Sequence, residues 1–284
     1  MSATEDNLGA ALRDYALDQL AQVDVQLARA GAWQHEGVHL ARKALTRLRA
    51  CVDLLHKSPQ AAQALEHRLR NFAHGLSPLR DTQAALSTVK FLGKHQEGSD
   101  KTWRDLAREL KQRRERELGA ALASDPGFSA HRAEIAQIRG ALNAIAWTRL
   151  LASDLQRALK RANKRVLRAH DPACASTAQE PRHRLRRRSR RLLLQIELLR
   201  GIARDESRPL AAAAAHESLR VVLGKALERK QRKRVIADLG WEQDLRVLRH
   251  ALPARATRTS MRRVFSALRR ELDVAIAATN ERLT

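Results

Sequence analysis

The residues best placed to do chemistry are cations at helical spacing. Along residues 38–55, VHLARKALTRLRACVDLL, a step of about 100° per residue gathers Arg42, Lys43, Arg47 and Arg49 within about 80° of His39. Ala44, Leu45, Leu48, Val52 and Leu55 gather at the opposite pole. A helix built this way is anchored by its apolar stripe and presents its cationic one. The pattern returns in residues 183–199, HRLRRRSRRLLLQIELL, where Arg186, Arg187, Arg190 and Arg191 share the face of His183, with Leu185, Leu192, Ile196 and Leu199 opposite. Aligning the two histidines matches Arg42 with Arg186, Lys43 with Arg187 and Arg47 with Arg191, while Thr46 stands against Arg190. A guanidinium presents paired N–H donors and stays charged when partly desolvated, so these faces are suited to holding phosphate-type anions. Two copies of one His-led basic helix form an internal repeat, which solvation of a surface face does not explain.

Composition points the same way. The 284 residues are 44% hydrophobic, enough to bury a core, and carry 54 Lys and Arg against 31 Asp and Glu, a formal charge of +23. Such an excess stores self-repulsion that a polyanion relieves; nucleic acid, an anionic membrane surface and a phosphate polymer are the candidates. Aromatic residues are only 3% of the chain, and Phe128, Phe265, Tyr15 and the tryptophans are scattered along it rather than grouped in a recognition motif. Single-strand binders rely on aromatic platforms, so a ligand with charge but no bases fits better. Cys51 and Cys174 form no CxxC pair, and Cys51 reads as a small core residue. The acidic, amphipathic start is unlike a signal peptide, and no uncharged run reaches the length of a membrane span. A soluble cytoplasmic protein without membrane insertion is expected.

Helices must position these faces. Ala, Leu, Arg, Glu and Gln dominate, and alternating Val/Ile/Thr runs are absent, which predicts an all-α chain. The spacing predicts helices over 4–30, capped by Asp6 or Asn7, then 35–57, one opening at Ser58-Pro59, one opening at Ser77-Pro78, and one over 100–123 opening at Ser99-Asp100. Asp125-Pro126-Gly127 is the strongest boundary and divides the chain into 1–125 and 126–284. In the second half the pattern predicts one long helix over 129–169 ending at His170-Asp171-Pro172, a basic helix over 181–203, and another over 209–238. The segment LGWEQDLRVLRHAL (239–252) is aligned with LSPLRDTQAAL (76–86) through Leu76 with Leu239 and Asp81 with Asp244; after Pro253 comes a last helix over 257–281. Two bundles of four to five helices related by pseudo-two-fold symmetry are expected.

The two His-led helices and the paired Leu-x4-Asp segments resemble the CHAD domain, the conserved histidine α-helical domain, over roughly residues 5 to 280. The resemblance implies two helical bundles packed around a basic central channel, binding of inorganic polyphosphate, and association with polyphosphate granules in cells. It implies a stand-alone module rather than an enzyme, with no cofactor and no metal; the ExExK-type strands of the triphosphate-tunnel partner domain are not evident. The polyphosphate-binding residues it marks are those of the two basic faces. Affinity for such a polymer should fall steeply with salt through counterion release, and weak nucleic-acid binding at low salt is expected of the same surface. The histidines can donate to phosphate, more strongly when protonated below about pH 6.5.

Further basic stripes are candidates for the same ligand: Lys90 and Lys94 at i, i+4, and Arg157, Arg161, Lys164, Arg165 and Arg168 on the long second-half helix. Weaker ones are Arg104, Arg108 and Lys111, and Arg258, Arg262 and Arg269. The string HEGVH (35–39) is a literal HExxH zinc motif with Glu36 as general base. Three points oppose it: Gly37 weakens a helix there, the repeat reads QEPRH, and only Glu66 suggests itself as a third ligand. No GxxxxGK[ST] loop is present. Asp81 and Asp244 read as residues that cap a turn or orient an arginine. Nucleic-acid binding is the principal alternative, ahead of a zinc hydrolase.

Overall fold

A computed structural model describes residues 8–55, 59–95, 100–223, 227–252 and 259–283. The expected caps Asp6 and Asn7, the openers Ser58 and Ser99, the breaker Pro253 and the cation Arg258 lie outside these residues. The described residues form eleven α-helices and no strand: α1 (Leu8–Leu27), α2 (Gln34–Val52), α3 (Pro59–Gly75), α4 (Ser77–His95), α5 (Asp100–Ser124), α6 (Ser129–Asn143), α7 (Ala152–Cys174), α8 (Gln179–Ile202), α9 (Pro209–Leu223), α10 (Leu227–Ala251) and α11 (Thr259–Leu283). None of them is long and apolar enough to cross a membrane.

The helices pack chiefly as neighbours in sequence: α1 on α2, α4 on α5, α7 on α8, and α10 on α11. Cross-links then join the two halves, with α2 against α8 and α4 against α10. The apolar faces predicted for α2 and α8 are the buried ones, including Leu45, Leu48, Leu192 and Leu199. Burial of each such leucine stabilises by roughly 1.5–3 kcal/mol. Two apolar clusters result. The larger unites α1, α2 and α3 with α6, α7, α8 and α9; the smaller unites α4 and α5 with α10 and α11. Both cores therefore cross the boundary at 125–127.

That boundary is built as its composition suggests. Gly127 and Phe128 both take positive φ, at 60° and 55°, and the buried ring of Phe128 holds the second in place. The Asp125 carboxylate accepts from the backbone N–H groups of Ala130 and His131 and from His131 Nδ1, which anchors the start of α6. Burial alone would raise its pKa, but these donors hold it down to about 2.

Three expectations need correction. The helix predicted over 129–169 is two, α6 and α7, separated by a turn at Trp147–Arg149. No Gly or Pro announces the break; it is made by the buried Trp147, whose Nε1–H donates to Leu142 O at 2.8 Å, and by Asp154, which accepts the Leu151 N–H at 3.1 Å and opens α7. At its other end α7 runs through Pro172 to Cys174. Pro172 removes one N–H from the hydrogen-bond ladder of the last turn, and Arg182 Nη1 donates to the nearby Ala173 carbonyl at 3.3 Å. Finally, the residues predicted as one helix over 209–238 fall in two, α9 and α10, and 239–251 are the C-terminal part of α10.

Candidate functional site

The contact between α2 and α8 sets the two basic faces beside one another. Gln195, buried on α8, donates its amide to Ala50 O at 3.2 Å and to the Asp53 carboxylate at 3.1 Å, fixing the two helices in register. Their cationic faces then border a cavity of about 950 Å³. Eight of the predicted residues line it: Arg42 and Arg49 of α2, Arg165 of α7, and His183, Arg186, Arg187, Arg190 and Arg191 of α8. Arg70, His74, Arg184 and Arg188 line it too, outside the residues expected from the sequence. The i, i+4 spacing of Glu66, Arg70 and His74 on α3 is the signal that could have found two of them.

The innermost cations are half-buried and repel one another. Arg42 donates Nη1 to Ala73 O at 2.6 Å and to Ser77 Oγ at 3.1 Å. Burial, then the neighbouring Arg80, Arg190 and Arg49, lower its pKa against the opposing pull of Asp81. Arg186 is pushed down to about 10, by burial first and by Arg80 and Arg190 after it, with Asp244 opposing. Its Nε is buried without a hydrogen-bond partner. Arg190 is lowered by burial and by Arg80 and Arg47. His39 and His183 follow the same pattern: partial burial lowers each from 6.5, and Lys43, Arg80 and Arg190 add to this at His39, Arg187 and Arg186 at His183. His183 Nδ1 is also buried without a partner.

Outer cations are held by carboxylates. Arg49 forks onto Glu66, with Nη2 at 2.6 Å from Oε1. Arg191 reaches the same Glu66 at 3.1 Å and Asp53 at 3.6 Å, Arg165 pairs with Asp53 at 3.2 Å, and Arg187 lies 3.6 Å from Glu180. These pairs spread the guanidinium groups along the rim of the cavity.

Other predicted residues lie elsewhere. His39 borders a second cavity on the side of α4. Arg47 faces a pocket formed with Asp14, Tyr15, Asp18 and Glu197. Lys43, Lys90, Lys94, Lys164 and Arg168 are exposed on their helices. Arg157 pairs with Asp154 in its own helix, and Arg161 stands near Arg165 and Asp53. Arg104, Arg108, Lys111, Arg262 and Arg269 are exposed on α5 and α11.

One central cation carries no signal in the sequence. Arg80 of α4 lies 3.1 Å from Asp81 Oδ1 and, through Nη2, 3.5 Å from Asp244 Oδ1. It is the neighbour that His39, Arg42, Arg186 and Arg190 all share. The expectation that Asp81 and Asp244 orient an arginine fits this geometry, with Arg80 as that arginine. Both aligned segments seat the aligned basic helices in corresponding ways. Arg42 donates to Ser77, while Arg186 lies against Gly240, the residue aligned with Ser77, where an added Cβ would come within 3.3 Å of its Nη2. His39 neighbours Arg80, and His183 is hydrogen-bonded to Gln243, the residue aligned with Arg80.

The zinc-motif residues are otherwise engaged. His35 Nε2 lies 2.9 Å from Glu115 of α5, and Glu36 pairs with Arg29 at 3.1 Å. Gly37 does not interrupt α2 as expected. It lies where α2 crosses the end of α1, and a Cβ there would sit 2.2 Å from the Gln26 carbonyl oxygen. The aromatic residues also need a correction, since Trp33, Phe91 and Trp241, far apart in sequence, line one cavity.

Comparison with known proteins adds one positive finding. The model of the CHAD domain matches residues 11–253. No curated protein and no solved structure matches the chain.

Proposed function

We propose, for a chain that belongs to the CHAD domain family, that it binds inorganic polyphosphate as a non-catalytic module, in the cavity between α2 and α8. One observation carries the reading: Arg42, Arg80, Arg186 and Arg190 are drawn together and partly desolvated, each lowering the proton affinity of another, while Arg186 Nε has no partner. Such a cluster is costly without an anion and is relieved by one. A phosphate chain supplies closely spaced oxygens, carries no bases, and accepts bidentate guanidinium contacts.

The corresponding seats of Arg42 on Ser77 and Arg186 beside Gly240 support a pseudo-two-fold arrangement. In this reading residues 1–125 and 126–284 are diverged copies, α1–α5 correspond to α7–α11, and α6 connects them. The shared cores support one domain rather than two. The basic cavity then forms the wall of a central channel. A polymer-binding module of this kind would associate with polyphosphate granules in the cytoplasm.

Calorimetric titration of long-chain polyphosphate at two salt concentrations, beside DNA and tripolyphosphate, tests this. Tight, salt-sensitive binding to the polymer is expected. Arg42→Ala and Arg186→Ala should each weaken it by about 1–3 kcal/mol with helicity intact. Equal or tighter binding of DNA, or normal polymer binding by both variants, would overturn the assignment.

A further inference from the structure

A second cavity of about 770 Å³ lies beyond Arg80, and its walls differ in kind from those of the first. It is lined by Trp33, Phe91 and Trp241 together with His39, Arg80 and Arg114. Two of the four tryptophans and one of the four phenylalanines of an aromatic-poor chain thus converge on one site. Trp33 is 65% and Phe91 49% exposed, with one face of Phe91 stacked on His95 at a centroid distance of 4.3 Å. Phe91 meets Trp241 edge-on, with centroids 5.0 Å apart at 72°. A phosphate polymer has no use for such rings, whereas a planar base does.

The polar groups around the rings are complementary to the rest of a nucleotide. Arg80 and His39 stand on the side nearest the arginine cluster, where phosphates would be drawn. Asp244 Oδ1 is paired with Arg80 Nη2 at 3.5 Å without a hydrogen bond, and Arg114 Nε is a buried donor with no hydrogen-bond partner, open to a ring nitrogen or a ribose oxygen. The volume falls within the range of about 300–1,000 Å³ usual for small-molecule sites.

We propose that this cavity binds a purine nucleotide, its base against Trp33, Phe91 and Trp241 and its phosphates towards His39 and Arg80. A purine offers more stacking area than a pyrimidine, and the size of the cavity suits one nucleotide rather than a strand. The site adjoins the arginine-lined cavity and shares Arg80 with the cluster beside it, so the aromatic rings are what set it apart.

The test is titration of the whole chain with ATP, tripolyphosphate, adenosine and single-stranded oligoadenylate, followed by tryptophan fluorescence and calorimetry. ATP should bind at least ~10-fold more tightly than tripolyphosphate or adenosine. Trp33→Ala and Phe91→Ala should each lower ATP affinity by ~5- to 100-fold while leaving tripolyphosphate binding and the helical circular-dichroism signal unchanged. Equal affinity for ATP and tripolyphosphate, or ATP binding unaltered in both variants, would overturn the proposal. Tighter binding of oligoadenylate than of ATP would also do so, assigning the surface to a nucleic-acid strand. Parallel titration of Arg186→Ala with long-chain polyphosphate reports on the other cavity, so failure of one reading is not mistaken for failure of the other.

Discussion

At His39 and His183, partial burial and surrounding cations both favour the neutral ring, so each imidazole takes its proton below the ordinary 6.5. The unfolded chain takes those protons at higher pH, which fixes the sign of the linkage. The contribution of these histidines to the stability of the free protein is fully present above about pH 6.5 and is lost as the pH falls through that value towards their folded pKa. A bound phosphate chain reverses the local preference, so binding near pH 6 should take up protons. Titration of polyphosphate in two buffers of different ionisation enthalpy checks this: the apparent heats should diverge, and the divergence should vanish in the His39→Gln/His183→Gln variant. Identical heats in both buffers for the unaltered protein would show that the rings stay neutral. The repeated faces make Arg42, Arg186 and Arg190 legible in the sequence alone. Arg80 is not, because it lies on another helix and its aligned counterpart is Gln243. Nor is the diversion of Arg47 to the pocket beside Tyr15 and Asp18, since a helical wheel sorts residues by angle and is blind to which neighbour each angle meets.

Among the helices, two interior glycines sit at close approaches of different consequence. Gly37 faces backbone at 2.2 Å, which cannot yield, and Gly240 faces the end of the Arg186 side chain at 3.3 Å, which can. Gly37→Ala should therefore destabilise the fold by about 1–3 kcal/mol, seen as a lower melting temperature. Gly240→Ala should leave the melting temperature equal or higher, since alanine favours a helix interior by up to about 1 kcal/mol. It should nonetheless weaken polyphosphate binding by displacing Arg186. A Gly240→Ala variant that melts normally and binds normally would remove Gly240 from the site. Helix type, the two basic helices and the break at Asp125-Pro126-Gly127 are readable from periodicity and turn chemistry. The break between α6 and α7 is not, because it goes with the burial of Trp147 in the core.

Across the whole molecule, 23 formal positive charges in excess remain to be accommodated. Added salt should raise the melting temperature of the free protein by screening this repulsion, and should lower that of the protein saturated with polyphosphate by weakening the complex. Thermal melts across a salt series, with and without polymer, read both slopes. A free protein that loses stability steadily with salt would mean that its solvent-exposed ion pairs, such as Arg68–Glu134, outweigh the repulsion. The convergence of Trp33, Phe91 and Trp241 belongs to this scale too, and no reading of local sequence could place them together. The seats of Arg42 and Arg186, each beside the corresponding residue of a repeated segment, bear on one more property. A nucleic-acid strand has a 5′-to-3′ sense and looks different from its two ends, whereas linear polyphosphate reads alike in both directions. If the proposed two-fold correspondence holds, the site should accept such a thread from either end and let it slide without having to turn it round.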